Sequence, residues 1–367
     1  MADTKFTILG MTGAGKTCYL LGMYYEMCSG FEGYTILADD DDDVELRKRY
    51  NRMLDFSLGP DRFPPGTDSS SNFKFDFQYG YKNILSFDWL DYAGGILETK
   101  NSGDSLEYSN FIESLNSSSC LFICIDGDTL IADTQDQKIR NIKNDSKTIN
   151  NFISKFQKGN QTLPPIALVI TKFDKCAGTI STAELFNIVK AAYTPLFLNT
   201  APPSIVSIIP ISIGLNLEDE KDAPQLLNMH LPIFMGIYCA LTRKLKELTA
   251  YQNKNQEAKA KLLLELDKWN DLRLQYTAQK NKLENSFLAL HKNNKIHEMK
   301  NALTSASKNI NQVNHEIFTI DKAITETDQQ IQSLHLNQQT LLEELNANLP
   351  LFINGIEKSF TEFQLLL

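Results

Sequence analysis

Between residues 241 and 345 the chain contains neither proline nor glycine. A segment without them has no helix breaker and no ready left-handed hinge, which excludes a turn-rich fold there. Apolar runs of the roughly 20 residues that cross a bilayer are also missing, so membrane insertion is not expected. Positive charge is in deficit, with 36 Lys and Arg against 45 Asp and Glu and a net charge of −9. That balance argues against a broad nucleic-acid surface, and no nucleic-acid partner is expected. Cysteine is sparse and scattered, with no Cys-x-x-Cys pair, which fits reduced thiols in a cytoplasmic protein. The five histidines fall at neither metal-ligand nor triad spacing. The N-terminus runs straight into a strand-like segment, Lys5–Leu9, so no leader is expected.

Up to about residue 240, apolar runs with strand character alternate with amphipathic stretches. The runs 5–9, 34–38, 73–79, 83–91, 120–126, 166–171 and 205–211 predict strands. The stretches 16–28, 44–57, 104–115, 137–157 and 182–193 predict helices. This alternation predicts an α/β domain over 1–240 with a mostly parallel sheet covered on both faces. The segments 73–79 and 83–91 form a hairpin through Gly80, Tyr81 and Lys82. The acidic run Asp39–Asp43 is read as the cap of the following helix rather than as a metal site.

Over 241–349 Lys, Glu, Gln, Asn and Leu dominate, and apolar residues recur at 4-3 spacing. One seam runs from Leu241 through Leu266, Trp269 and Leu283 to Leu290. A second, out of phase with it, runs from Ile296 through Ile310, Val313 and Ile331 to Leu345. The phase breaks at 291–295, which predicts an antiparallel coiled-coil hairpin about 75 Å long. A turn centred on Asn293 places Leu283 opposite Leu303, Leu245 opposite Leu341 and Lys259 opposite Thr327. The stretch around Gln252, Asn255 and Lys259 lacks apolar pairs and is the expected weak segment. The basic tip, with Lys292, Lys295 and Lys300, is read as solvated. After Pro350, residues 350–367 are read as a short amphipathic helix with Phe352, Ile356, Phe360 and Phe363 on one face.

Three motifs carry chemistry. Gly10-Met-Thr-Gly-Ala-Gly-Lys-Thr17 lies between an apolar strand and a helix, the setting of a phosphate-binding loop. Gly10, Thr12, Gly13, Ala14, Gly15 and Cys18 let the backbone wrap phosphate. Lys16 faces the β- and γ-phosphates, and Thr17 ligates Mg²⁺. Asp91, at the end of the strand 83–91, holds Mg²⁺ through water, and the Gly94 N–H meets the γ-phosphate. Thr171-Lys-Phe-Asp174 follows another apolar strand. The Asp174 carboxylate accepts the paired donors of guanine, which adenine lacks. The Lys172 stem lies along the base, and Ser212, in the segment 210–214, backs it.

This order of motifs resembles the translation-factor-related class of GTPases, which includes Ras-like and dynamin-like proteins. The resemblance covers roughly 4–240 and implies a P-loop GTPase domain binding GTP or GDP with Mg²⁺. It also implies a switch threonine, best matched by Thr67 in Pro64-Pro-Gly-Thr67, which caps the metal and γ-phosphate. Lys16, Thr67 and Gly94 are thus the expected catalytic groups, and Thr17, Thr67 and Asp91 the expected metal-binding groups. Thr171 stands where Asn is commoner, as in dynamin-like GTPases. The inserted strand and helix near 34–57 are similar to bacterial double-GTPase families, some of which serve in conflict or defence systems. Ras-like members carry a water-orienting glutamine where this chain has Gly95, so slow intrinsic turnover is expected. Arg62 is read as a surface residue, with a cis arginine finger as the alternative. The function expected is a nucleotide-dependent switch or assembly GTPase whose hairpin binds a protein partner or a second copy of the chain. A dynamin-like membrane remodeller and a nucleotide-binding adaptor without turnover are the competing readings.

Overall fold

The computed structural model describes residues 4–66, 70–92, 106–132, 134–158, 162–199, 202–214, 225–285 and 293–364. The chain divides into two compact units, Met1–Arg243 with Asn337–Leu367, and Lys244–Leu336.

The first unit is α/β. Its strands are β1 (Thr4–Leu9), β2 (Tyr34–Ala38), β3 (Ser71–Tyr79), β4 (Lys82–Asp91), β5 (Ser118–Asp126), β6 (Ile166–Thr171), β7 (Ile205–Pro210), β8 (Leu351–Ile353) and β9 (Ile356–Lys358). They form one sheet in the order β2-β3-β4-β1-β5-β6-β7-β8-β9. The run from β4 through β1, β5 and β6 to β7 is parallel, and both margins are antiparallel, so the sheet is mixed. Burial follows from position. Every residue of β6 is buried, as a central strand with both faces covered requires. In β3, Phe73, Phe75 and Phe77 face inward while Lys74 is exposed, the period-2 pattern of a strand with one covered face.

The helices are α1 (Lys16–Ser29), α2 (Asp40–Met53), α3 (Leu106–Ser117), α4 (Gln135–Lys158), α5 (Phe173–Cys176), α6 (Thr182–Ala192), α7 (His230–Glu284), α8 (Asn293–Asn348) and α9 (Phe360–Gln364). On one side of the sheet Leu121, Ile123 and Ile125 of β5 join Ile149 and Ile153 of α4 and Ile188 of α6 in a single core. On the other, Tyr19 of α1 meets Trp89, with centroids 5.9 Å apart. Phe234 near the start of α7 packs edge-on to Tyr34 at 5.4 Å. α2 begins at Asp40, earlier than the apolar spacing suggests. Asp39 caps it by accepting from the Asp42 N–H, and four aspartates occupy its first turn.

The start of α7 and the end of α8 belong to this unit. His230, 8% exposed, stacks on Phe31 at 3.8 Å. Its ring nitrogens lie 3.3 Å from Glu26 and 3.5 Å from Glu344. The tail departs from expectation. Residues 350–367 do not form one amphipathic helix. β8 pairs antiparallel with β7, β9 turns back on β8, and only Phe360–Gln364 is helical. The reason is Asn354-Gly355, a two-residue hairpin turn with φ 50° and 76°, which an Asn-Gly pair adopts readily. Phe352, Phe360 and Phe363 are buried, but Ile356 is 62% exposed.

The second unit is an antiparallel pair formed by α7 and α8. Its axial register differs from expectation. Lys259 pairs with Asp321 at 2.6 Å instead of facing Thr327. Gln252 donates to Asp328 in the same shifted register. Seam phase fixes which face of each helix turns inward, but polar pairs set the slide along the axis. In the expected weak segment Asn255 has a buried side-chain nitrogen with no partner. An unsatisfied buried amide costs about 1–3 kcal/mol. Asn255→Leu should therefore stabilise the helix pair by about 1 kcal/mol. Amide exchange over 252–259 and 321–328 should slow accordingly, and unchanged exchange would remove this account of the weak segment.

Candidate functional site

The site is built where β1, β5 and β6 end side by side. β1 hands the chain to the glycine-rich loop, and α1 leaves it at Lys16. Gly15 is the N-cap of α1, with φ 79°, a left-handed conformation. A Cβ on it would stand 3.2 Å from the Thr171 side chain, so the position has neither the backbone nor the room for another residue. α1 has no side-chain cap and no acidic residue in its first turn. Its leading N–H groups and positive dipole end are thus left for an anionic ligand.

Lys16 is buried and folds back over the loop, donating to the Gly10 carbonyl at 3.0 Å and the Met11 carbonyl at 3.3 Å. Thr17 donates to Asp91 Oδ2 at 3.4 Å. Asp91, 2% exposed at the end of β4, has its other oxygen buried without a partner among the described residues. Burial raises its pKa to about 6, against the opposing pull of Lys16 and the Thr17 hydrogen bond. A buried carboxylate with a spare oxygen beside a threonine hydroxyl is a hard-oxygen set that suits a divalent cation such as Mg²⁺.

Thr171 closes β6. Its hydroxyl lies 2.9 Å from the Ala14 carbonyl and 3.1 Å from that of Ile125, and so ties loop, β5 and β6 together. Beyond it, Ser212 donates to Asp174 Oδ1 at 2.5 Å and accepts from the Gly214 N–H at 3.1 Å. The Phe173 N–H bonds the Ile211 carbonyl at 3.1 Å, which aligns these two segments.

One cavity of 420 Å³ joins these parts. Of the residues expected from sequence, Thr12, Gly13, Gly15, Lys16, Thr17, Cys18, Thr171, Lys172, Asp174 and Ser212 line it. Gly10 and Ala14 act from behind through their carbonyls, and Asp91 lies beneath Thr17. Burial pushes the Cys18 thiol up to about 11, which leaves it a poor nucleophile. Thr67, Gly94 and Gly95 lie outside the described residues. Arg62, read as a surface residue, instead lines the cavity. Its guanidinium sits 4.3 Å over Phe56 and 4.8 Å over Phe63. Pro64, Pro65 and Gly66 of the expected switch segment also line the cavity, while Phe63, Asp128 and Lys175 were not singled out in the sequence. Asp126-Gly-Asp128 directly after the apolar run 120–125 was the available signal.

The Asp91 carboxyl has a folded pKa above its unfolded one, so the folded chain holds a proton that the unfolded chain releases. Its contribution to stability is full below about pH 4 and is lost as pH rises to about 6. With cations chelated, Asp91→Asn should be more stable than the parent at pH 7 by an amount on the order of 2–3 kcal/mol. The two should converge near pH 4. Denaturant titrations across that range check it, and a constant difference would refute the burial account. Compared with known protein families and with curated proteins, the chain matches none.

Proposed function

We propose that this chain binds guanine nucleotides with Mg²⁺ and hydrolyses GTP slowly, as a P-loop GTPase acting as a switch or assembly protein. The carrying observation is that a single cavity is bounded at one end by Lys16, Thr17 and the first turn of α1, and further along by Asp174 and Ser212. The first set suits phosphate oxygens, and Lys16 exchanges its two loop carbonyls for them. The second suits the donor edge of guanine. Asp174, oriented by the Ser212 hydroxyl, keeps an oxygen for the ring N–H and exocyclic amine. Thr17 and Asp91 would hold Mg²⁺, which neutralises charge on the phosphates. A cytoplasmic setting and a protein partner engaged through the helix pair complete the reading.

Competition against labelled GTP should show GDP displacing the label and ATP doing so only at far higher concentration. Equal displacement by ATP would sink the guanine assignment. Asp174→Asn should shift preference toward xanthine nucleotides, whose carbonyl accepts from the new carboxamide. Lys16→Ala should lose most nucleotide affinity while keeping the parent's far-ultraviolet spectrum. Gly95 has no side chain to orient water, so single-turnover phosphate release should run within a decade or two of about 10⁻⁴ s⁻¹. Many turnovers per second from the chain alone would show that another group supplies that role.

A further inference from the structure

Beside the residues already assigned, a second charged cluster sits at the cavity wall. β5 ends in Asp126, and Asp126-Gly127-Asp128 turns directly across the end of β6. The approach is close: a Cβ on Gly127 would stand 2.3 Å from the Thr171 carbonyl oxygen. The Asp128 N–H donates to Asp126 Oδ1 at 3.0 Å, which fixes that carboxylate. Lys172 then donates to Asp126 Oδ2 at 2.7 Å and to Asp128 Oδ2 at 3.2 Å. Burial alone would lower the Lys172 ammonium, but the hydrogen bonds and charge of the two aspartates outweigh it and raise its pKa above the ordinary value. Lys172 also holds a left-handed φ of 50°, a conformation that a side-chain-bearing residue keeps only where its surroundings enforce it.

A free lysine side chain samples many rotamers, and a ligand that packs on it must order it. Here two carboxylates hold the tip. The charge of Lys172 is directed at them, so what it offers the cavity is its methylene stem, an apolar strip suited to a planar ring. We propose that Asp126 and Asp128 are positioning residues that clamp Lys172, so that its stem forms a fixed wall of the compartment for the base. The inference rests on the guanine-nucleotide reading and adds to it how the base is held.

Asp126→Asn, Lys172→Ala and the double variant are titrated with fluorescent GDP in Mg²⁺. Each single change should weaken binding about tenfold through lost preorganisation. The double variant should bind no more weakly than Lys172→Ala alone. Further weakening on adding Asp126→Asn to Lys172→Ala would overturn the proposal, because Asp126 would then act by another route. A merely structural Asp126 gives that second pattern, with a fall in melting temperature. A measurement without nucleotide separates the clamp from the ligand. Acylation of Lys172 by an N-hydroxysuccinimide ester, followed by peptide mapping, should be several-fold faster in Asp126→Asn, since freeing the tip lowers its pKa. An unchanged rate overturns the clamp. A parent chain that binds no guanine nucleotide overturns the guanine reading, while faster acylation in the variant still upholds the clamp.

Discussion

The hydroxyl of Thr171 stands where the glycine-rich loop, β5 and β6 meet, within hydrogen-bonding distance of the Ala14 and Ile125 carbonyls. The hydroxyl carries one proton, which it donates to one of these carbonyls at a time, with the Ala14 carbonyl of the loop the nearer. Lifting the loop from the sheet would give up that contact. The threonine side chain is short, and its packing against Gly15 leaves no space for a Cβ there. The left-handed Gly15 and the start of α1 lie directly against that contact. On the far side of Thr171 the chain passes directly into Lys172 and Asp174. One side chain thus sets the spacing between the two ends of the cavity.

The parts of this arrangement that could be read from the sequence are those in which chemistry and periodicity coincide. The segment Ile166–Thr171 is an unbroken apolar run bounded by a motif, and a strand buried on both faces needs such a run. The glycine-rich loop was legible because its glycines are required by backbone conformation as well as by any ligand. The tail was misread because Phe352, Ile356, Phe360 and Phe363 fit a helical spacing. The Asn354-Gly355 turn between them carries more local information than four aromatic and aliphatic positions. The slide of α7 against α8 was not legible at all, since a 4-3 seam repeats every heptad and neighbouring registers bury similar surface. Asp126 and Asp128 were passed over for another reason. Their contact with Lys172 spans a long sequence separation, and the local signal, two aspartates flanking a glycine after an apolar run, reads as an ordinary turn.

Asp91 shows how far the site is from a stability optimum. A carboxylate 2% exposed with one oxygen unpartnered is a poor structural element, since a neutral amide or an apolar group of the same shape would be tolerated better. Lys16 relieves it only in part, since burial outweighs the pull of its ammonium, which donates to the Gly10 and Met11 carbonyls. The same local cost recurs at Lys172, held in a left-handed conformation. Binding a cation and an anion together would satisfy the spare Asp91 oxygen, draw Lys16 off the loop carbonyls and stabilise the fold by mass action.

The roots of the two long helices share this logic of buried polar contacts. In the first unit Thr242 donates to the Tyr238 carbonyl at 2.7 Å and accepts from Gln338 at 2.6 Å, a fully satisfied buried pair between α7 and α8. Tyr238 in turn donates to the Phe360 carbonyl at 2.9 Å, which fastens the tail. His230 stands 3.3 Å from Glu26 of α1 and 3.5 Å from Glu344 of α8, but its ring nitrogens make no hydrogen bond among the described residues. Apolar packing would tolerate small rotations here, whereas directional hydrogen bonds do not. The sheet, the tail and the helix roots are consequently one cooperative body.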